Sequence, residues 1–197
     1  MSPSGSPDTP VHIVDPAAMR ALAHPLKWAL MDALLAEGAA TSARCAELVG
    51  ESQANCSFHL RQLARYGLVE EAPTTSRRDR PWRLTTTEQS WSTVQPDEKR
   101  TRAAAELERV FVQHEIAELM RWERSALTYG QDWRRAALRT GAQTWLTADE
   151  LADLAKRITE VMLTYRDRLT DPAKRPAGSR PVRLFAVGYP LPDDGPE

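Results

Sequence analysis

The stretch ESQANCSFHLRQLARYGLV, residues 51–69, decides how this chain is read. Cys56, Leu60, Leu63 and Gly67 recur at intervals of three and four, the spacing of one face of a helix. A serine stands where an N-cap belongs, and Gly67 stops the helix just before an apolar pair. The opposite face holds Ala54, Ser57, Phe58, Arg61 and Arg65, with no acid among them. An ordinary solvated helix face interleaves carboxylates with its cations. This one calls for a different explanation.

Working outward, the 197 residues allow one large domain or two small ones, and 42% hydrophobic with 27% charged residues is the balance of a chain that buries a core. No run of about 18 apolar residues occurs, so no membrane partner is expected. The opening MSPSGSPDTP has neither the basic nor the apolar region of a secretory signal, and residues 1–14 read as a disordered lead. Cys45 and Cys56 lie in separate helical patterns and form no disulfide framework, which fits a reducing, cytoplasmic setting. Net charge is −1, yet from Ser57 to Thr85 six arginines face three acids, whereas from Asp97 onward 17 basic residues balance 17 acidic ones. Positive charge is therefore concentrated in one short segment.

Upstream, DPAAMRALAHPLKWALMDALLAEG reads as a short helix around Met19, Leu22 and Ala23. A second helix starts at Pro25 and ends at Gly38, with Leu26, Leu30, Ala33 and Leu34 as its apolar stripe. TSARCAELVG comes next, capped by Thr41 or Ser42, with Cys45, Leu48 and Val49 inward and Gly50 as the stop. Helix, short turn, helix is the scale of a helix-turn-helix. Downstream, GLVEEA and PWRLTT are short β-prone segments around the polar loop PTTSRRDR, the pattern of a hairpin whose tip carries Arg77, Arg78 and Arg80.

After the linker TVQPDE, a long helix from Glu98 to about Tyr129 has apolar residues on more than one side, including Leu107, Phe111, Ile116, Leu119 and Met120. That distribution predicts burial between neighbours or between two subunits. TWLTADELADLAKRITEVMLTYRDRL opens with a capping box, Thr147 with Glu150, and sets Leu151, Leu154, Ile158, Met162, Tyr165 and Leu169 on one face. The apolar run Val182 to Tyr189 reads as a strand, with QTWL at 143–146 as its partner. The predicted fold class is mainly α with small β: an N-terminal winged helix-turn-helix over 15–95, then a helical region over 96–197 with a short strand pair.

LAHPLKWALMDALLAEGAATSARCAELVGESQANCSFHLRQLARYGLVEE, together with RPWRLT further on, resembles the winged-helix domain of the ArsR-like transcriptional regulators, in particular the actinobacterial type. The shared elements are the Ala-His-Pro-Leu opening, the Ser-Gln-x-x-x-Ser-x-His-Leu run and Gly-Leu-Val ahead of the wing, and they cover residues 17–85. The resemblance implies a homodimer that binds double-stranded DNA. It implies nothing about residues 97–197.

The physics of residues 51–69 agrees. A helix can enter the major groove and present its N-terminal half to base edges. Helix 52–66 and the wing 70–85 thus give the candidate DNA-binding set Ser52, Gln53, Ala54, Ser57, Phe58, His59, Arg61, Arg65, Arg77, Arg78 and Arg80. Ser52 and Gln53 sit at the helix N-terminus, where backbone N–H groups favour a phosphate. Arg61 suits guanine or phosphate, and Phe58 suits a thymine methyl. His59 stands three residues after Cys56, which turns it partly toward the core. Carboxylates on such a face would repel a duplex, so their absence is accounted for.

The residues bear on two further classes. A single Cys45 on the helix before the recognition helix, and no short-range histidine cluster, predict no metal site. Without a phosphate loop, nucleophile elbow or H-E-x-x-H run, no enzyme activity and no cofactor are expected. Trp122, Trp133 and Trp145 are candidates for the lining of a pocket for a small apolar effector, against ordinary packing. The sequence thus predicts a homodimeric repressor that binds an inverted repeat. The alternative is a winged helix kept for protein–protein contact without a specific operator.

Overall fold

The computed structural model describes residues 11–74, 80–85 and 89–192. The chain forms two compact units, Met1–Glu123 and Arg124–Glu197. In the first, helix α1 (Pro16–Leu22) starts where the Asp15 carboxylate accepts from Ala17 N, and α2 (Pro25–Glu37) starts where His24 Nδ1 accepts from Leu26 N. Both carry proline at the first helical position, where no intrahelical N–H bond is lost. Thr41 caps α3 (Ser42–Val49) and Ser52 caps α4 (Gln53–Arg65), each hydroxyl accepting from the N–H three residues on at 3.2 Å. Between α3 and α4 the chain turns at Gly50, whose φ of 72° is left-handed. A side chain there would cost about 1–2 kcal/mol, so glycine is what allows two helices to stand so close in sequence.

The core is drawn from all four helices, the hairpin after them and the next long helix. Met19, Leu22, Leu30, Leu34, Cys45, Cys56, Leu60, Leu63 and Leu68 are all but sealed from solvent. Strands β2 (Val69–Glu71) and β3 (Trp82–Leu84) pair antiparallel in the register Val69 with Leu84, Glu70 with Arg83 and Glu71 with Trp82. Ala40 bridges the other edge of β3 through both backbone hydrogen bonds with Trp82. The predicted hairpin is thus formed directly after α4. Leu48, expected inward, is 42% exposed: α3 is only about two turns long, and its sealed face is spent on Cys45 and Ala46.

Two features have no counterpart in the sequence pattern. Strand β1 (Val11–His12) pairs in parallel with β4 (Gln89–Ser90), Ile13 N donates to Ser90 O, and Ile13 is buried. The segment read as part of a disordered lead over 1–14 is therefore laid onto the domain from Val11; residues 1–10 lie outside the described residues. Helix α5 (Glu98–Ser125) divides its work along its length. Ala103, Ala104, Leu107 and Val110 belong to the core, whereas Ile116, Leu119 and Met120, which share one face, are each 49% exposed.

The second unit is built differently. Helices α6 (Gln131–Ala136), α7 (Ala148–Met162) and α8 (Asp167–Thr170) are accompanied by short 3₁₀ turns, and no residue over 124–168 or 173–192 is buried. The capping box that starts α7 is present: Glu150 N donates to Thr147 Oγ1 while Thr147 N donates to the Glu150 carboxylate, which holds that carboxyl below its usual range. The predicted strand pair is corrected. Neither 143–146 nor 182–189 is a strand; Trp145 is 99% exposed, and Gly188 lies against Leu151 of α7. Pro181 and Pro190 bound that run and cannot donate to a ladder, and Gly188 within it weakens strand pairing further.

Candidate nucleic-acid interface

Helix α4 carries the geometry. Its inner side, Cys56, His59, Leu60 and Leu63, is buried against the core, which fixes what the other side presents. Gln53, Ala54, Arg61 and Arg65 are exposed, and Phe58 is half exposed. Arg61 Nη1 donates to Ser57 Oγ at 2.8 Å, one helical turn away. A guanidinium has five donors, so this bond uses one and steadies the rest. The side chain is held to the outer face instead of sampling solvent freely, which lowers the entropy lost when it binds. Ser52 is committed twice: its hydroxyl caps the helix and its residue marks the N-terminal end of the exposed face.

His59 leaves the candidate set. It is 7% exposed, its ring lies 4.5 Å from that of His24 and 5.3 Å from that of Phe58, and its Nδ1 has no hydrogen-bond partner. Burial, reinforced by the nearby His24 and Lys27 charges, pushes its pKa down, so the ring stays neutral. A residue sealed beneath the helix cannot read a base.

In the hairpin, Arg83 donates through Nε and Nη2 to Glu70 Oε1 at 2.8 and 2.6 Å, across the in-register pair. Arg80 lies 3.5 Å from Glu71 and is 73% exposed, so it remains open to a second partner. Arg77 and Arg78 lie outside the described residues. The base of the hairpin thus neutralises its own acids, whereas Arg61 and Arg65 on the outer face of α4 have no carboxylate partner among the described residues. Arg44, bonded to both Glu37 and Glu47, ties α3 to α2 and holds the helix that supports α4.

Both thiols belong to the core. Cys45 and Cys56 are fully buried, and loss of hydration raises both pKa values, that of Cys45 to about 11. Neither is a thiolate near neutrality, and the thiolate is the reactive form. The folded protein is therefore expected to leave both thiols unreacted with a disulfide reagent at pH 8 until denaturant is added. One equivalent reacting within seconds under native conditions would contradict the burial. Among the described residues, Asp32, His114 and Glu118 bring their ligand atoms within 4.8 Å of one another. His114 Nε2 meets Asp32 Oδ2 at 2.7 Å, an ion-pair geometry joining α2 to α5, and Glu118 pairs with Arg121. The carboxylates thus already have cationic or hydrogen-bonding partners. No short-range spacing reveals this grouping, because 82 positions separate Asp32 from His114.

Trp122 lies on α5 in the first unit and Trp133 on α6 in the second, where Arg180 lies 5.9 Å from its ring centre, while Trp145 is almost wholly exposed and encloses nothing.

Residues 22–72 match the family model of a helix-turn-helix domain, a span running from the end of α1 through β2. No curated protein matches the chain. Together with the geometry of α3 and α4, the domain match supports a DNA-binding regulator. No helix among the described residues is long and apolar enough to cross a membrane.

Proposed function

We propose that the chain is a sequence-specific transcriptional repressor of the ArsR-like type, cytoplasmic and without enzymatic activity. It acts as a homodimer on an inverted-repeat operator, through helix 52–66 and the wing 70–85. The observation that carries this is the acid-free outer face of α4, with Arg61 held in place by Ser57 on a helix whose inner face is sealed in the core. The antiparallel hairpin after α4 supports the winged form of the motif.

Arg61→Ala is expected to weaken binding to the operator by about 1–3 kcal/mol, roughly 5- to 150-fold, and to leave stability unchanged. Arg77→Ala and Arg78→Ala are expected to weaken operator and random duplex alike. Gel shifts on the upstream region at two salt concentrations measure both. Equal losses for Arg61→Ala on operator and random DNA would remove it as a base reader. The absence of any salt-sensitive shift would favour the protein–protein reading.

One helix-turn-helix covers one half-site, so an inverted repeat calls for a two-fold dimer. The half-exposed row Ile116, Leu119 and Met120 on α5 supports that helix as the interface. Light scattering at micromolar concentration is expected to give about twice the 22.1 kDa chain mass. A monomer that still binds its operator tightly would refute the dimer.

A further inference from the structure

On the first unit, flanking the exposed face of α4, a groove of about 520 Å³ opens where α1, the start of α2 and α4 meet. Its walls carry Arg20, Lys27 and Arg65, with the rings of His24 and His59, and no carboxylate among the described residues lines it. In a chain with 26 basic and 27 acidic residues, a wall of one sign is not the ordinary outcome. Two of these groups are also buried. Lys27 is 3% exposed, and its ammonium donates to Ala21 O, a carbonyl in the last turn of α1. That bond satisfies one of three N–H donors and cancels no charge. His59, 7% exposed, keeps an unpartnered Nδ1.

A buried ammonium without a carboxylate is costly, and such a group lining a cleft is a functional-site candidate. Desolvation pushes both Lys27 and His59 toward their neutral forms, and at His59 the neighbouring His24 and Lys27 act in the same direction, so the groove disfavours further positive charge of its own. Glu51 opposes the effect at His59 more weakly and is not among the lining residues. Arg20, His24 and Arg65 are exposed at the groove, so an approaching anion meets donors before it meets Lys27. Gln62 adds a neutral amide, and the Phe58 and Tyr66 rings supply an apolar flank. The volume is within the range of small-molecule sites.

We propose that this groove binds a phosphate-class oxyanion, held by Arg20, Lys27 and His24. The same chemistry is offered by a backbone phosphate of a duplex and by a small phosphorylated compound.

The probe is inorganic phosphate, titrated into the full-length protein at constant pH and ionic strength balanced with chloride. The ring signals of His24 and His59 are followed by NMR. Saturable shifts of both rings are expected, with affinity at least tenfold lower in Arg20→Ala and in Lys27→Met. Absence of saturation, or equal affinity in wild type and both variants, overturns the site. Should Lys27→Met fail to fold, Arg20→Ala, at an exposed position, decides alone. A second arm measures random-sequence duplex binding against salt. If Arg20→Ala weakens it and reduces the salt slope by about one, the anion is a DNA phosphate. If duplex binding is unchanged while phosphate affinity falls, the ligand is a small phosphorylated molecule. Either result supports the site. Since the phosphate titration contains no DNA, a protein that binds phosphate here but no duplex would refute the repressor reading and leave the groove standing.

Discussion

Replacing Trp28 by alanine is expected to destabilise the first unit by roughly 3–5 kcal/mol, the range for removing a buried aromatic. Trp28 is 5% exposed on α2, with its ring centre 5.1 Å from Phe111, 6.2 Å from Trp91 and 6.2 Å from His114. Trp91 in turn meets Phe111 edge-on at 5.2 Å and donates from Nε1 to the Glu108 carboxylate. Helix α2, the segment after β4 and helix α5 therefore converge on one side chain. Domains of this size are stable by only about 5–15 kcal/mol, so the loss consumes a large share of the total. Trp28→Phe keeps a ring in the cluster and should cost far less. Urea unfolding followed by circular dichroism measures both. A midpoint for the alanine variant corresponding to less than about 1 kcal/mol of loss would show that the cluster is not what fastens α5.

The second large effect sets two neighbours on α4 against each other. Leu60 is completely buried and Arg61 is exposed. Leu60→Ala is expected to cost about 2–5 kcal/mol of stability, because transfer and cavity terms add. Binding to operator and random DNA should then fall together, in proportion to the fraction unfolded, and recover on cooling to where the variant is folded. Arg61→Ala should do the reverse, leaving the unfolding curve in place and discriminating between sequences. Thermal melts beside gel shifts at two temperatures separate the two. If Leu60→Ala melts like the wild type, the inner face of α4 does not carry the helix, and the assignment of faces fails.

The first four helices were legible because their signals are local. Pro25 at the start of α2, Thr41 before Ser42, Ser52 before Gln53 and Gly50 at the turn each act within a few residues. The hairpin was legible for a similar reason, since the β-prone runs lie close in sequence around a polar loop. His59 was half legible: its spacing from Cys56 pointed inward, but the ring of His24 that covers it comes from 35 positions upstream. The pairing of β1 with β4 and the meeting of Asp32 with His114 join residues roughly eighty apart, and no periodicity announces such contacts. The C-terminal strands failed for a different reason. Apolar alternation supplied a strand-like pattern, but prolines at both borders and an exposed Trp145 deprive it of a ladder partner.

The in-register bond between Glu70 and Arg83 has a geometric consequence. Slipping the hairpin by one residue would swing Val69 and Trp82, both buried, to the wet side and separate the charged pair. With Ala40 clasping the far edge of β3 and Ala72 N bonded to Pro81 O, both feet of the loop are bolted in place. Chain length between Ala72 and Pro81 then works as a ruler. If the proposed function holds, lengthening or shortening it should alter binding to any duplex while leaving this footing unchanged.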